Sequence, residues 1–293
     1  SASLGVGPIV NSGTLIFARA TNAYVLPATN IVSGIGAITL ASTGAVTSSA
    51  AGQFNSSGLL TFGNVAGSTV MSSLDLTNGG ATFGGLLLRN RSAVADNLIT
   101  VGVGQTFRVN GAVTVGYNSG ATTETRLKLT GGGAFLIGSV GNSALINVQL
   151  GGNSTTNVTN RAVVDMSGLG SFYAGLAGGL FRVGDATNAN GGNGGGAGSL
   201  LILAPTSTIV AASFLMDSPT SDITHTVRLG TGVNTFNVNT LTIGGERSGA
   251  LVNFYDGSLG SLVVRARAGK GRTAINVGYS NATTGAVPTS TAD

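Results

Sequence analysis

Cysteine and tryptophan are absent from this sequence, charged residues make up only 8 % of it, aromatics 5 %, and it holds one histidine. Each shortage excludes something. Without cysteine no disulfide can staple the fold and no thiolate can bind metal or act as a nucleophile. With one histidine, His225, and two glutamates, Glu124 and Glu246, there is little from which to build a metal centre or a converging acid–base pair. Charge is missing altogether between Ala20 and Leu74. Ser, Thr, Asn and Gly interrupt that span throughout, so no run of about 20 apolar residues exists to cross a bilayer as a helix. Helices in general are disfavoured: nowhere does i, i+3, i+4, i+7 apolar spacing coincide with good helix formers. Disorder is excluded by what is plentiful, since 42 % of the residues are hydrophobic.

What remains is small, polar and alternating. The 293 residues include 49 glycines and carry a formal charge of +4. In TFNVN, TLTIG, SLVVRA and AINVG, between Thr235 and Gly278, apolar and polar residues alternate. This places Phe236 with Val238, Leu241 with Ile243, Leu262 with Val264 and Ile275 with Val277 on shared faces, as in half-buried strands. Weaker strands are expected at 14–17, 23–26, 37–40 and 59–62. Gly, Asn, Asp and Ser fill the intervals, as tight turns require. The pattern also repeats. TFRVNGAVTVG at 106–116 resembles TFNVNTLTIG at 235–244, an offset of 236 − 107 = 129. LDLTNGGATFGG at 74–85 resembles LKLTGGGAFLIG at 127–138, an offset of 127 − 74 = 53. A rung of about 26 residues divides these as five and two, within the range of repeat folds. VVDMSGLGSF at 163–172 and VNFYDGSLGSL at 252–262 match likewise, each leading to a similar strand, LFRVG at 180–184 and AINVG at 274–278. The chain reads as one all-β stack of parallel rungs, a β-solenoid covering 1–293. Residues 1–73 are less regular, a cap or a set of buried rungs. The run at 188–199 is a Gly-rich loop, and 282–293 a frayed tail. The start at Ser1, with no leader pattern, reads as a mature or excised piece.

Sites are few. His225 is in phase with Ile223, Val227 and Leu229, so it reads as a packed histidine rather than a ligand or general base. Asp217 and Asp222 are the nearest acid pair and read as solvated turn residues flanking a Ser-Pro turn. AGKGRT at 268–273 fails as a phosphate loop, because Gly271 stands where a hydroxyl residue is needed. No cofactor or metal is expected. The one charge cluster is Arg265, Arg267, Lys270 and Arg272, which suits contact with a polyanion such as an acidic glycan, or with another subunit. The overall basic balance is too mild for a nucleic-acid surface. T-x-T pairs at 123–125, 206–208, 224–226 and 240–242 are too irregularly spaced for a flat ice-binding ladder. N-x-S/T sequons begin at Asn55, Asn90, Asn153, Asn157 and Asn281.

LTIGGERSGALVNF, LGSLVVRARAGKGRTAINVG and LKLTGGG resemble the autotransporter-associated β-strand repeats of large bacterial surface proteins, over roughly 74–285. That resemblance implies a right-handed parallel β-helix, an extracellular or cell-surface location on bacteria, and a role as stalk, adhesin or fibre without catalytic residues. The expected function is therefore a structural or adhesive β-solenoid, a subunit or fragment of a surface fibre or giant adhesin. Its partners would be further copies of itself, end to end or side by side, and a glycan or cell surface. Two alternatives follow from the same architecture: a carbohydrate-active β-helix enzyme, and a module binding glycan or ice through a flat face.

Overall fold

The computed structural model describes residues 5–18, 22–65, 67–92, 94–116, 123–138, 145–151, 160–184, 197–218, 223–246, 248–257, 259–279 and 290–292. It is a parallel β-helix. Every pairing between strands is parallel, and each strand pairs with the equivalent strand one rung before and one rung after it. Among the described residues the only helical element is a single 3-10 turn, Tyr255–Gly257.

Ten rungs stack along the axis, each with three faces. The first face runs from Ile9–Val10 through Phe54–Ser56, Thr106–Val109 and Ser171–Gly175 to Ser261–Arg265. The second runs from Thr14–Phe17 through Gly85–Leu88 and Leu180–Val183 to Ala274–Tyr279. The third runs from Tyr24–Val25 through Asn97–Val101 and Ala197–Ile202 to Ser290–Ala292. In rungs eight and nine the first two faces are one long bent strand, Thr206–Ser218 and Val233–Glu246, so TFNVN and TLTIG are continuous. Ser290–Ala292 pairs with Ala250–Val252, so the tail expected to fray carries a strand. The Gly-rich run ends in strand as well, at Ala197; its residues 188–196 lie outside the described set.

Alternation sets the inside of the tube. Val109, Ile137, Ala174, Ile209 and Phe236 are register partners in successive rungs and all face inward. The weak strands at 14–17, 37–40 and 59–62 stand where expected and join the same ladders, with Leu15 beside Ile38 and Ile38 beside Leu60. A file of rings runs through the core: Tyr24, Phe17, Phe54, Phe83, Phe107, Phe135, Phe172, Phe181, Phe214 and Phe236, each 4.9–6.5 Å from the next. Offset and tilted ring contacts at such distances are favourable beyond the area they bury.

Rung length departs from a constant 26. Ala81 to Phe107 is 107 − 81 = 26 residues, but Phe135 to Phe172 is 172 − 135 = 37, and Phe172 to Ser207 is 207 − 172 = 35. The 129-residue offset between Phe107 and Phe236 therefore spans four rungs, not five. The extra residues sit in corners, chiefly between the second and third faces, where 151–159 and 184–196 are the connections. A corner can lengthen without disturbing the ladder registers, so the strand repeat survives while the residue count does not. The shorter offset does span two rungs, but in register Leu74 stacks on Ile99 and Ile99 on Leu129, so the structural offset is 129 − 74 = 55 rather than 53.

The corner between the first and second faces is tight in the early rungs. Gly13, Gly36, Gly58, Gly84 and Gly111 lie one above another there. A Cβ on Gly58 would come within 1.8 Å of the Gly36 carbonyl oxygen, and one on Gly111 within 2.2 Å of that of Gly84. Glycine is required at this corner for backbone-to-backbone approach.

Candidate functional surfaces

His225 is buried, as its phase implied, but it is more than packing. On the third face the register slips between Ala197 and Leu200, leaving Ser199 out of step with the neighbouring rung. The imidazole fills the gap. Ser199 N–H donates to His225 Nδ1 at 3.1 Å, and Ser199 Oγ accepts from Ala162 N–H at 3.1 Å. Side chains thus carry the ladder across rungs six to eight. Accepting at Nδ1 puts the proton on Nε2, and Nε2 meets no hydrogen-bond partner. Burial, reinforced by the Arg182 guanidinium, lowers the His225 pKa to about 4.

Beside it, Arg182 Nε lies 2.9 Å from Asp217 Oδ1, an ion pair whose alignment falls short of a hydrogen bond. Asp217 is only 8 % exposed, so it is no solvated turn residue. The long strand runs through it to Ser218 and carries the carboxylate in with it; Asp222 lies outside the described residues. Ser218 N–H donates to the buried Ser248 Oγ at 2.8 Å, and Ser248 Oγ donates to the Gly245 carbonyl. Sequence reading missed this cluster because its members lie on three rungs whose lengths it could not fix.

Arg265, Arg267, Lys270 and Arg272 all lie in the last strand of the first face and the turn after it: Arg265 ends the strand, and the other three occupy the corner turn. All four are exposed, and among the described residues none has a carboxylate within ion-pair distance. The turn is pinned. Arg267 N–H donates to Asn239 Oδ1 at 3.3 Å, Thr273 Oγ1 donates to the Val238 carbonyl at 2.8 Å, and Gly269 N–H closes on the Ala266 carbonyl at 2.8 Å. The Arg267 guanidinium reaches back three rungs and donates to the carbonyl of Ala177. Ala177 is the one non-glycine residue of positive φ, 53°, among those described.

Ion pairs occur elsewhere on the rod. Glu124 on the third face bridges Arg126 and Arg161, each at 2.8 Å, and Arg126 also holds Asp96 at 2.8 Å. Burial alone would lower the Arg126 pKa; hydrogen bonds to Glu124 and Asp96 outweigh it and raise it. A polar cleft of about 450 Å³ opens on the first face, where Asn55, Thr82 and Arg108 stack over three rungs. Arg108 Nη1 there donates to the Gly138 carbonyl at 3.1 Å.

The T-x-T pairs fall on all three faces, so they form no common ladder. Asn90, a sequon residue, is fully buried and exchanges amide hydrogen bonds with Asn97. Asn55 is exposed; Asn153, Asn157 and Asn281 lie outside the described residues. No group of three or more His, Cys, Asp or Glu side chains suited to a metal occurs among the described residues, and no helix is long and apolar enough to cross a membrane. Set against family models, curated proteins and solved structures, the chain matches none of them.

Proposed function

We propose that this chain is an extracellular structural or adhesive β-solenoid, a subunit or piece of a bacterial surface fibre or large adhesin. The observation that carries the reading is the regular parallel stack itself, ten rungs among the described residues joined by backbone ladders around one continuous core. In the last rung Ile275 and Val277 continue the core columns of Leu241 and Ile243, yet they are 54 % and 53 % exposed. In the first rung Ile9 and Leu15 continue the columns of Val32 and Ile38 and are only partly buried. Among the described residues no strand covers the outer edge of either rung. The two ends share one three-faced cross-section, and each offers unpaired backbone and apolar side chains. Such an edge accepts a further parallel rung, from the same chain or from another copy, and between copies a head-to-tail contact of that kind propagates as a filament.

The outward residues support the same reading. They are mostly small and polar, and the carboxylates of Asp96, Glu124, Asp165 and Asp217 are each within reach of a cation, while that of Asp75 accepts from Thr77, rather than converging in a cleft. The test is electron microscopy of the purified protein over a range of concentrations. A single copy is a rod of ten rungs, about 48 Å at about 4.8 Å per rung. Rods several times that length are expected, and they should disappear when Ile275→Lys and Val277→Lys charge the exposed end. Monodisperse single rods at every concentration, or turnover of a polysaccharide, would overturn the reading.

A further inference from the structure

The sequence holds 14 lysines and arginines against 10 aspartates and glutamates. Four of the cations fall within 265–272, so outside that turn 14 − 4 = 10 cations balance 10 acids. That turn alone carries four cations and no acid. We propose that this corner is a docking site for a polyanionic glycan, a polysaccharide bearing carboxylate or sulfate groups, with Arg265, Lys270 and Arg272 as its contacts.

Three observations favour this over a merely solvated turn. Arg126, Lys128, Arg161 and Arg182 are spent on internal pairs; Arg108 and Arg228 also lack a described carboxylate neighbour but stand apart from one another, whereas 265–272 gathers four such cations in one exposed stretch. The turn is held in one shape by bonds to Val238, Asn239 and Ala177, which lowers the ordering cost of binding. Arg267 spends part of its guanidinium on the Ala177 carbonyl, so its role is positioning: it anchors the turn that carries Lys270 and Arg272. A glycan is favoured over a nucleic acid because 265–272 contains no aromatic side chain on which a base could stack. Repeated carboxylates or sulfates need only spaced cations, and Arg can take such groups two-handed.

The site lies beside the stacking end, so copies can stack or not without deciding whether it binds. The test is retention on immobilised heparin and on immobilised polygalacturonate at low salt, with single-stranded DNA of equal charge as competitor. Wild type should be held by at least one of the glycans and eluted by salt. The triple variant Arg265→Ser, Lys270→Ser, Arg272→Ser should bind about tenfold or more weakly and lose most of the salt dependence, as expected when three charge contacts are removed. Arg228→Ser, an exposed third-face cation, should bind as wild type does. Arg267→Gln should weaken binding less than the triple change. Thermal melts and electron microscopy on the same samples separate loss of fold or of filaments from loss of binding. No retention on either glycan, retention unchanged in the triple variant, an equal loss in Arg228→Ser, or displacement by DNA in preference to free glycan would overturn the assignment.

Discussion

A buried imidazole that accepts a backbone hydrogen bond can do so only while neutral. His225 accepts from Ser199 at Nδ1, and protonation there would abolish that bond and set a second cation near Arg182. Its folded pKa of about 4 lies below the ordinary value of 6.5. Above pH 6.5 both folded and unfolded chains hold it neutral. Between 6.5 and 4 the unfolded chain takes up a proton that the folded chain refuses, so stability falls as pH falls across that window. The full loss is about 3 kcal/mol at 1.36 kcal/mol per pH unit. His225→Asn retains an acceptor for Ser199 but does not titrate; urea melts from pH 7 to 4 should show that share of the acid slope removed, and identical slopes would exclude the role. Glycines divide by a different criterion. Gly58→Ala forces a Cβ against the Gly36 carbonyl and should cost more than about 2 kcal/mol. Gly52→Ala meets open space at φ +71° and should cost only about 1–2 kcal/mol, the strain of a left-handed residue. Thermal melts of the two variants would rank them, and the reverse order would refute the packing argument.

The phenylalanine file joins rungs by contacts that run mostly along the axis, with the step from Phe172 to Phe181 lying within one rung. Phe214 sits 5.1 Å from Phe181 and 4.9 Å from Phe236, with planes within 4° and 13° of parallel. Phe214→Ala should cost about 3–5 kcal/mol, whereas Phe254→Ala, at a partly buried position outside the file, should cost clearly less. Denaturant unfolding of the pair checks this, and equal losses would mean that the file is only ordinary core. The strands were legible in the sequence because period-2 alternation is a local property. TLIF, AITL and LLTF announce their inward residues without help from any neighbour. LFRVG and AINVG matched by eye, and they share one register, Phe181 to Phe214 to Leu241 to Ile275. Rung number was not legible, because ladders constrain strands and leave corners free to lengthen. For the same reason the Arg182–Asp217–His225 cluster was hidden, since each member needs the rung lengths to find the others. The cationic turn needed no such knowledge, being continuous in sequence.

At the scale of the molecule, stability is a sum of rungs and of the interfaces between them. Rungs with a neighbour on both sides should resist opening, and the last should open first. Hydrogen exchange is expected to be fastest at Ser261–Arg265 and Ala274–Tyr279 and much slower along Thr206–Ser218 and Thr106–Val109. Filament assembly should slow exchange at the last rung; uniform exchange along the axis would contradict an additive stack. The glycine corner has a consequence of another kind. From Gly36 to Gly111 that edge is a keel of bare peptide groups, a carbonyl of the preceding rung occupying the place each side chain would need. Mutation can bring neither charge nor bulk there without prying two rungs apart. Divergence between descendants of such a chain is therefore channelled to the corner joining the second and third faces, where whole segments can be gained while the keel keeps its profile.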